Sequence, residues 1–197
     1  MTKLYIVRHG QTDENIKNAC IGRSDVPLNG IGVSQARKLA DKFSDVNFEA
    51  VYTSPLVRAV NTAAPIAAMH RNLNLIMNYG LIERDFGEWE GMTRDEIRQK
   101  RPNAFRRESD LWFYETPPGG ESIEELYKRC ADSADKIIAQ HEGGEVLMVT
   151  HLVTARSIIT HLTGLPPKCC DRFFLDNAKT AVIEYSDGQG TLLGLNI

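Results

Sequence analysis

The 197-residue chain carries 23 Lys plus Arg against 26 Asp plus Glu, a net charge of -3 with His neutral, which argues against an electrostatically driven nucleic-acid binder while leaving room for a local basic pocket. Its 42% apolar and 25% charged residues are an ordinary globular mix, and the length suffices for one domain with a core that needs no staples. No uninterrupted apolar run is long enough to cross a bilayer and the opening MTKLYIVRHG lacks the apolar stretch of a signal peptide, so a soluble, cytoplasmic protein without a membrane partner is expected.

Leu4-Tyr5-Ile6-Val7 is a run of β-formers ending abruptly at Arg8-His9-Gly10, which fits a strand buried on both faces. After a polar loop, Asn29 can cap a helix with Val33, Ala36, Leu39, Ala40 and Phe43 on one apolar face. Glu49 to Thr53 reads as a second strand, and Ser54-Pro55 as an N-cap with a first-turn proline. The helix that follows contains Pro65, which should kink or break it, and Leu73 to Met77 reads as a third strand. From Glu83 to Gly120 strand signals are few and charges many, so short helices and loops laid over the sheet are expected there.

Ser122 with Glu125 forms a capping box that opens a helix burying Ile123, Leu126, Cys130, Ala134 and Ile137. Val146 to Val149 is another wholly apolar strand, ending at Thr150-His151. The next helix, through Ala155, Ile158, Ile159 and Leu162, stops at Gly164 and Pro166. Thr180 to Tyr185 and Thr191 to Leu195 flank Asp187-Gly188 as a hairpin. Strands alternating with helices predict one α/β domain over 1–197, three-layered, with a mostly parallel sheet and an inserted cap at about 84–120.

In such sheets ligands sit beyond the carboxyl ends of strands. Two strand ends deliver histidines, His9 and His151. Arg8 adjoins the first, and Arg58 falls in the first turn of a helix, where free N–H groups and the helix dipole favour anions. Two arginines and two histidines converging on one pocket suit a dianion such as a phosphoryl group. His70, His141 and His161 lack such placement and read as helix-surface or terminal residues. Cys20, Cys130, Cys169 and Cys170 form no CxxC pair and read as reduced thiols. Gly30-Ile31-Gly32 follows no strand and lacks the third glycine of a dinucleotide fingerprint.

The strings RHGQT at 8–12 with Asn15, TSPLVRAVNTA at 53–63, LIERDFGEWEG at 81–91, PPGGES at 117–122 and VTH at 149–151, in this order along the chain, resemble the histidine phosphatase superfamily. That family holds the cofactor-dependent phosphoglycerate mutases, the fructose-bisphosphatase domain and small phosphatases. The resemblance implies a phosphoglycerate mutase-like fold and assigns roles. His9 is the expected nucleophile, its second ring nitrogen held by a backbone carbonyl. Arg8, Arg58 and His151 would bind the phosphoryl oxygens, and Gln11, Asn15, Ile21 and Gly22 would line the pocket. Glu83 matches the proton donor, chosen by motif register over Asp85, Glu88 and Glu90. No metal or other cofactor is expected, because arginines supply the positive charge.

The compact chain and the PPGGES string resemble the small phosphatase branch, of α-ribazole and phosphoserine phosphatase type. Against that, Arg84 also occurs in mutases, and the segment after Met92 is basic through Arg94, Arg98, Lys100, Arg101, Arg106 and Arg107. A charge run of this kind also fits a solvated helical face balanced by Asp95, Glu96 and Glu108. Where the family often has glycine after its second histidine, this chain has Leu152-Val153. The aromatic group Trp112, Phe113 and Tyr114 reads as packing of the cap, with a substrate lid as the alternative. A metal-independent phosphomonoesterase for a small phosphoester is therefore expected, ahead of a phosphoglycerate mutase and of a non-catalytic phospholigand module. A homodimer through an edge strand or exposed helix is compatible with the pattern, but no stretch marks the surface.

Overall fold

The apolar run at the start of the chain becomes strand β1 (Thr2–Arg8), and the second such run becomes β4 (Glu145–Thr150). A computed structural model describes residues 1–70, 73–100 and 113–197. The remaining strands are β2 (Ala50–Thr53), β3 (Leu75–Met77), β5 (Thr180–Ser186) and β6 (Gln189–Gly194). The helices are α1 (Asp13–Ile16), α2 (Gly30–Lys42), α3 (Val57–Met69), α4 (Arg94–Lys100), α5 (Ile123–Gln140) and α6 (Leu152–Leu162).

The strands form one sheet in the order β3-β2-β4-β1-β5-β6. The pairs β2–β3, β2–β4 and β1–β4 are parallel, and β5 runs antiparallel to both β1 and β6. Because β1 and β4 lie at the centre, both faces of each are covered, which is why their sequences are continuously apolar instead of alternating. Leu4, Ile6, Val146 and Met148 face a core closed by α5 and α6. Tyr5, Val7, Leu147 and Val149 face one closed by α2 and α3. The β5–β6 hairpin turns at Asp187 and Gly188, both at positive φ (52° and 80°), as a tight primed turn requires.

The expected caps of α2 and α5 are present: Asn29 accepts from the Gly32 N–H, and Ser122 and Glu125 form the reciprocal capping box. Ile123, Leu126, Cys130, Ala134 and Ile137 are all buried on α5. Other expectations are corrected. Val33 is 41% exposed, because it sits on the α2 flank turned away from the sheet. Ser54 does not cap α3, which starts later at Val57 with its N–H bonded to Asp25 Oδ1 at 2.7 Å. Pro65 does not break α3, which runs continuously through it. The carbonyl deprived of a donor there belongs to exposed Asn61, where water can take it. The third strand is shorter than expected, Leu75–Met77, at the sheet edge.

Candidate active site

The parallel strands β1, β2 and β4 end on one edge of the sheet and deliver Arg8-His9, Ser54 and Thr150-His151 side by side. The ladder continues past β1 through the His9 N–H, which bonds the Thr150 carbonyl at 2.9 Å. The rings of His9 and His151 come to 5.2 Å between centroids. Beside them opens a cavity of about 650 Å³ lined by Arg8, His9, Asn15, Arg58, Glu83 and Arg156, among others.

His9 is 3% exposed. Its Nδ1 lies 2.7 Å from the Gly10 carbonyl. A carbonyl oxygen only accepts, so Nδ1 carries the proton and Nε2 keeps its lone pair. Burial, then the charges of Arg58 and Arg8, hold the imidazole well below its ordinary pKa and therefore neutral. The backbone around it is fixed from several directions. The Gly10 N–H bonds Thr62 Oγ1 at 2.9 Å, and Thr62 in turn donates to the Arg58 carbonyl. Asn177 donates its amide to the His9 carbonyl at 3.0 Å. A Cβ on Gly32 would stand 2.2 Å from the Gln11 carbonyl oxygen, so Gly32 serves close packing of α2 against this loop.

Arg8 and Arg58 are 9% and 1% exposed, and each has a buried Nε without a partner among the described residues. Arg8 Nη1 donates to the Leu175 carbonyl, and Arg58 donates to the carbonyls of Gly22 and Ser24, both at 2.7 Å. Burial pulls Arg8 down to about 10, still cationic at neutral pH. Arg156 on α6 is a cavity residue that the sequence patterns did not disclose. Its guanidinium lies between the rings of Phe113 and Phe174, 5.4 and 5.3 Å from their centroids, and donates to the Phe173 carbonyl. Among the described residues none of these arginines forms an ion pair. The arrangement suits a dianionic ligand.

Glu83 lines the cavity at 7% exposure. Its carboxylate accepts from the Arg84, Val153 and Thr154 N–H groups and from the Thr154 hydroxyl. It thereby caps α6, whose own N-cap residue, His151, makes no side-chain cap bond. His151 is fully buried, is not one of the cavity-lining residues, and bonds Ser54 Oγ through Nε2 at 2.7 Å. Burial and Arg58 hold it, too, well below its ordinary pKa.

Asn15, Ile21 and Gly22 line the cavity as expected, and so do Leu152 and Val153 in place of glycine. Gln11 does not line it, a correction. Its side-chain oxygen accepts from Asn29, because the Gly10–Gln11 backbone turns toward the start of α2. Arg84 is fully buried away from the cavity and donates to the carbonyls of Phe113, Glu115 and Glu121, a tether for that segment. Arg94 lines the cavity, while Arg101, Arg106, Arg107, Glu108 and Trp112 lie outside the described residues. Phe113 is buried and lines the cavity, and the Tyr114 hydroxyl bonds the Lys168 carbonyl. Cys20 also lines the cavity, but burial pushes its thiol up to about 11, so it stays protonated and weakly nucleophilic at neutral pH. The four cysteines are free thiols.

His70, His141 and His161 lie at helix ends away from the cavity. His141 bonds Glu49 and Tyr52, and His161 bonds Asp135. Among the described residues no helix is long and apolar enough to cross a membrane.

Comparison with known proteins bears on this site. A family model described as the histidine phosphatase superfamily (branch 1) matches residues 4–197. Phosphoserine phosphatase 1 of Hydrogenobacter thermophilus is 33% identical over 201 residues, 100% of this chain and 93% of that protein. A 2,3-bisphosphoglycerate-dependent phosphoglycerate mutase of Cytophaga hutchinsonii is 31% identical over 193 residues, 94% of this chain and 89% of that protein. The crystal structure of a putative α-ribazole-5'-P phosphatase from Escherichia coli matches with a TM-score of 0.88 at 26% identity, covering 100% of this chain and 96% of that one. The chain spans 54% of the length of three mycobacterial relatives, 33% identical over 200 residues. The six-stranded sheet with helices is the expected phosphoglycerate mutase-like α/β fold.

Proposed function

This chain belongs to the histidine phosphatase superfamily, branch 1, and from that premise we propose that it is a metal-independent phosphomonoesterase acting on a small phosphorylated metabolite through a phosphohistidine. The observation that carries this reading is the hydrogen bond of His9 Nδ1 to the Gly10 carbonyl inside a cavity walled by Arg8 and Arg58. It leaves Nε2 as a neutral, oriented nucleophile beside cationic groups suited to the phosphoryl oxygens.

Nε2 attacks phosphorus, the P–O bond to the leaving group breaks, and Glu83, entering this step as the carboxylic acid, gives its proton to the departing oxygen and is left as the carboxylate. Glu83 then takes a proton from water as that water attacks the phosphohistidine, releasing phosphate and restoring His9. Arg8 and Arg58 bear the charge spread over the equatorial oxygens. His151, behind His9, presents an uncharged imidazole fixed by Ser54. Asn15, Ile21 and Gly22 complete the phosphoryl pocket, with the leaving group against Phe113, Leu152, Val153 and Phe174.

The mutase reading is supported by the 31% identity to a phosphoglycerate mutase and by Arg94, from the basic run after Met92, on the cavity wall. Arg84, the other sequence feature that suggested it, is instead a tether bonded to backbone carbonyls. The test is phosphate release in excess EDTA from an aryl phosphate, phosphoserine, 3-phosphoglycerate and α-ribazole phosphate, by the parent and by His9→Ala. Release by the parent that falls at least about 10³-fold in the variant is expected. Release surviving His9→Ala would sink the mechanism, and no release from any ester, with isomerase activity when bisphosphoglycerate is added, would favour the mutase.

A further inference from the structure

Arg58 is the most deeply buried cation of the cavity, and nothing in its own helix explains how its guanidinium is aimed. Both terminal nitrogens are fixed by carbonyls of one loop, those of Gly22 and Ser24. The other side of that loop is held by Glu90. Its Oε1 accepts from the Arg23 N–H at 2.7 Å, and its Oε2 accepts from the Ser24 N–H at 2.9 Å and from the Ser24 hydroxyl. Glu90 is one of the acidic neighbours of Glu83 in the string LIERDFGEWEG, and it is not among the residues lining the cavity.

The Gly22 carbonyl and the Arg23 N–H belong to a single trans peptide group, whose O and H point opposite ways. One rigid unit is thus bonded to a carboxylate at one end and to a guanidinium at the other, and each bond polarises the peptide in the sense that strengthens its partner. Ser24 adds a second link across two successive peptide groups, its N–H on Glu90 and its carbonyl on Arg58. The approach is close enough to dictate a residue type: a Cβ on Gly22, which sits at φ +54°, would fall 2.2 Å from Glu90 Oε1.

We propose that Glu90 is a positioning residue for Arg58, setting the guanidinium through the Gly22–Ser24 backbone without touching the substrate. This rests on the reading of Arg58 as a phosphoryl-binding group. Losing Glu90 releases the loop, and Arg58 loses its aim while keeping its charge.

The experiment is a double-mutant cycle. Glu90→Gln, and Glu90→Asp as a shorter carboxylate unable to span both N–H groups, are each made in the parent and in Arg58→Ala. 4-Nitrophenyl phosphate turnover, orthophosphate affinity by calorimetry and the thermal midpoint are measured on every protein. In the parent background kcat/KM is expected to fall about 10- to 100-fold with orthophosphate affinity falling alongside. In Arg58→Ala the same change is expected to cost less than about twofold, because the residue acted upon is gone. Equal losses in both backgrounds, or no loss in the parent background, overturn the proposal. The variant whose thermal midpoint lies closer to the parent's decides.

A parent that binds orthophosphate without turning over the ester refutes the hydrolase reading alone, and the affinity cycle still judges Glu90. A parent that does neither refutes both.

Discussion

His9 and His151 stand just past the ends of neighbouring parallel strands with ring centroids 5.2 Å apart, and burial together with the charges of Arg58 and Arg8 holds both rings uncharged. The folded protein keeps these imidazoles neutral where the unfolded chain protonates them. Their contribution to stability is therefore complete above the unfolded value of about 6.5 and is lost as pH falls below it toward the depressed folded values. Each ring can steepen the dependence by up to about 1.4 kcal/mol per pH unit in that window. Urea unfolding at about pH 7 and about pH 5.5 should show the loss in the parent and a smaller one in His151→Asn. An equal loss in both would contradict the assignment.

On the proposed phosphohistidine mechanism, the Gly10 bond makes Nε2 the attacking nitrogen. Acid-labile phosphate trapped on the protein during turnover should sit on Nε2 of His9, and a heteronuclear phosphorus–nitrogen spectrum distinguishes it from the Nδ1 isomer. Label on Nδ1 would mean that the Gly10 contact breaks before attack.

Glycines two positions apart at the start of α2 should behave oppositely. Gly32→Ala drives a Cβ into the Gln11 backbone, and a loss of about 1–3 kcal/mol is expected with impaired turnover, since the displaced loop adjoins His9. At Gly30 a Cβ would meet nothing within 4 Å, so Gly30→Ala should be neutral or stabilising by about 0.4–1 kcal/mol. Thermal midpoints of the pair decide.

Arg156 is stacked between Phe113 and Phe174 on the cavity wall. Arg156→Met should raise KM for an ester bearing a second acidic group by about tenfold, and for an uncharged aryl phosphate by no more than about twofold. A uniform rise across both esters would assign the residue to packing instead.

Much of this was readable from local patterns. Buried central strands announce themselves as unbroken apolar runs, and His9, His151, Arg8 and Arg58 follow from where those runs and the next helix begin or end. Side chains whose role depends on distant partners gave no such signal. Ser54 looks like a helix cap, yet its hydroxyl bonds His151, and Asp25 from another loop caps α3. Gln11 belongs to the RHGQT string with His9 but turns to Asn29. Arg156 lies mid-helix, where nothing in its neighbours' spacing separates a cavity residue from a surface one. Arg84, a residue also found in mutases, is spent on three backbone carbonyls that its own position does not disclose.

The strand order carries a consequence for synthesis. β4 is inserted between β1 and β2, so these two strands, the first made, cannot pair with each other in the native sheet and must wait for one made long after them. A nascent chain emerging from the ribosome holds Arg8, His9 and Arg58 early, but the sheet that brings them together closes only when Glu145–Thr150 arrives. Until then the growing polypeptide has exposed apolar strand edges and an incomplete pocket, and is at its most aggregation-prone.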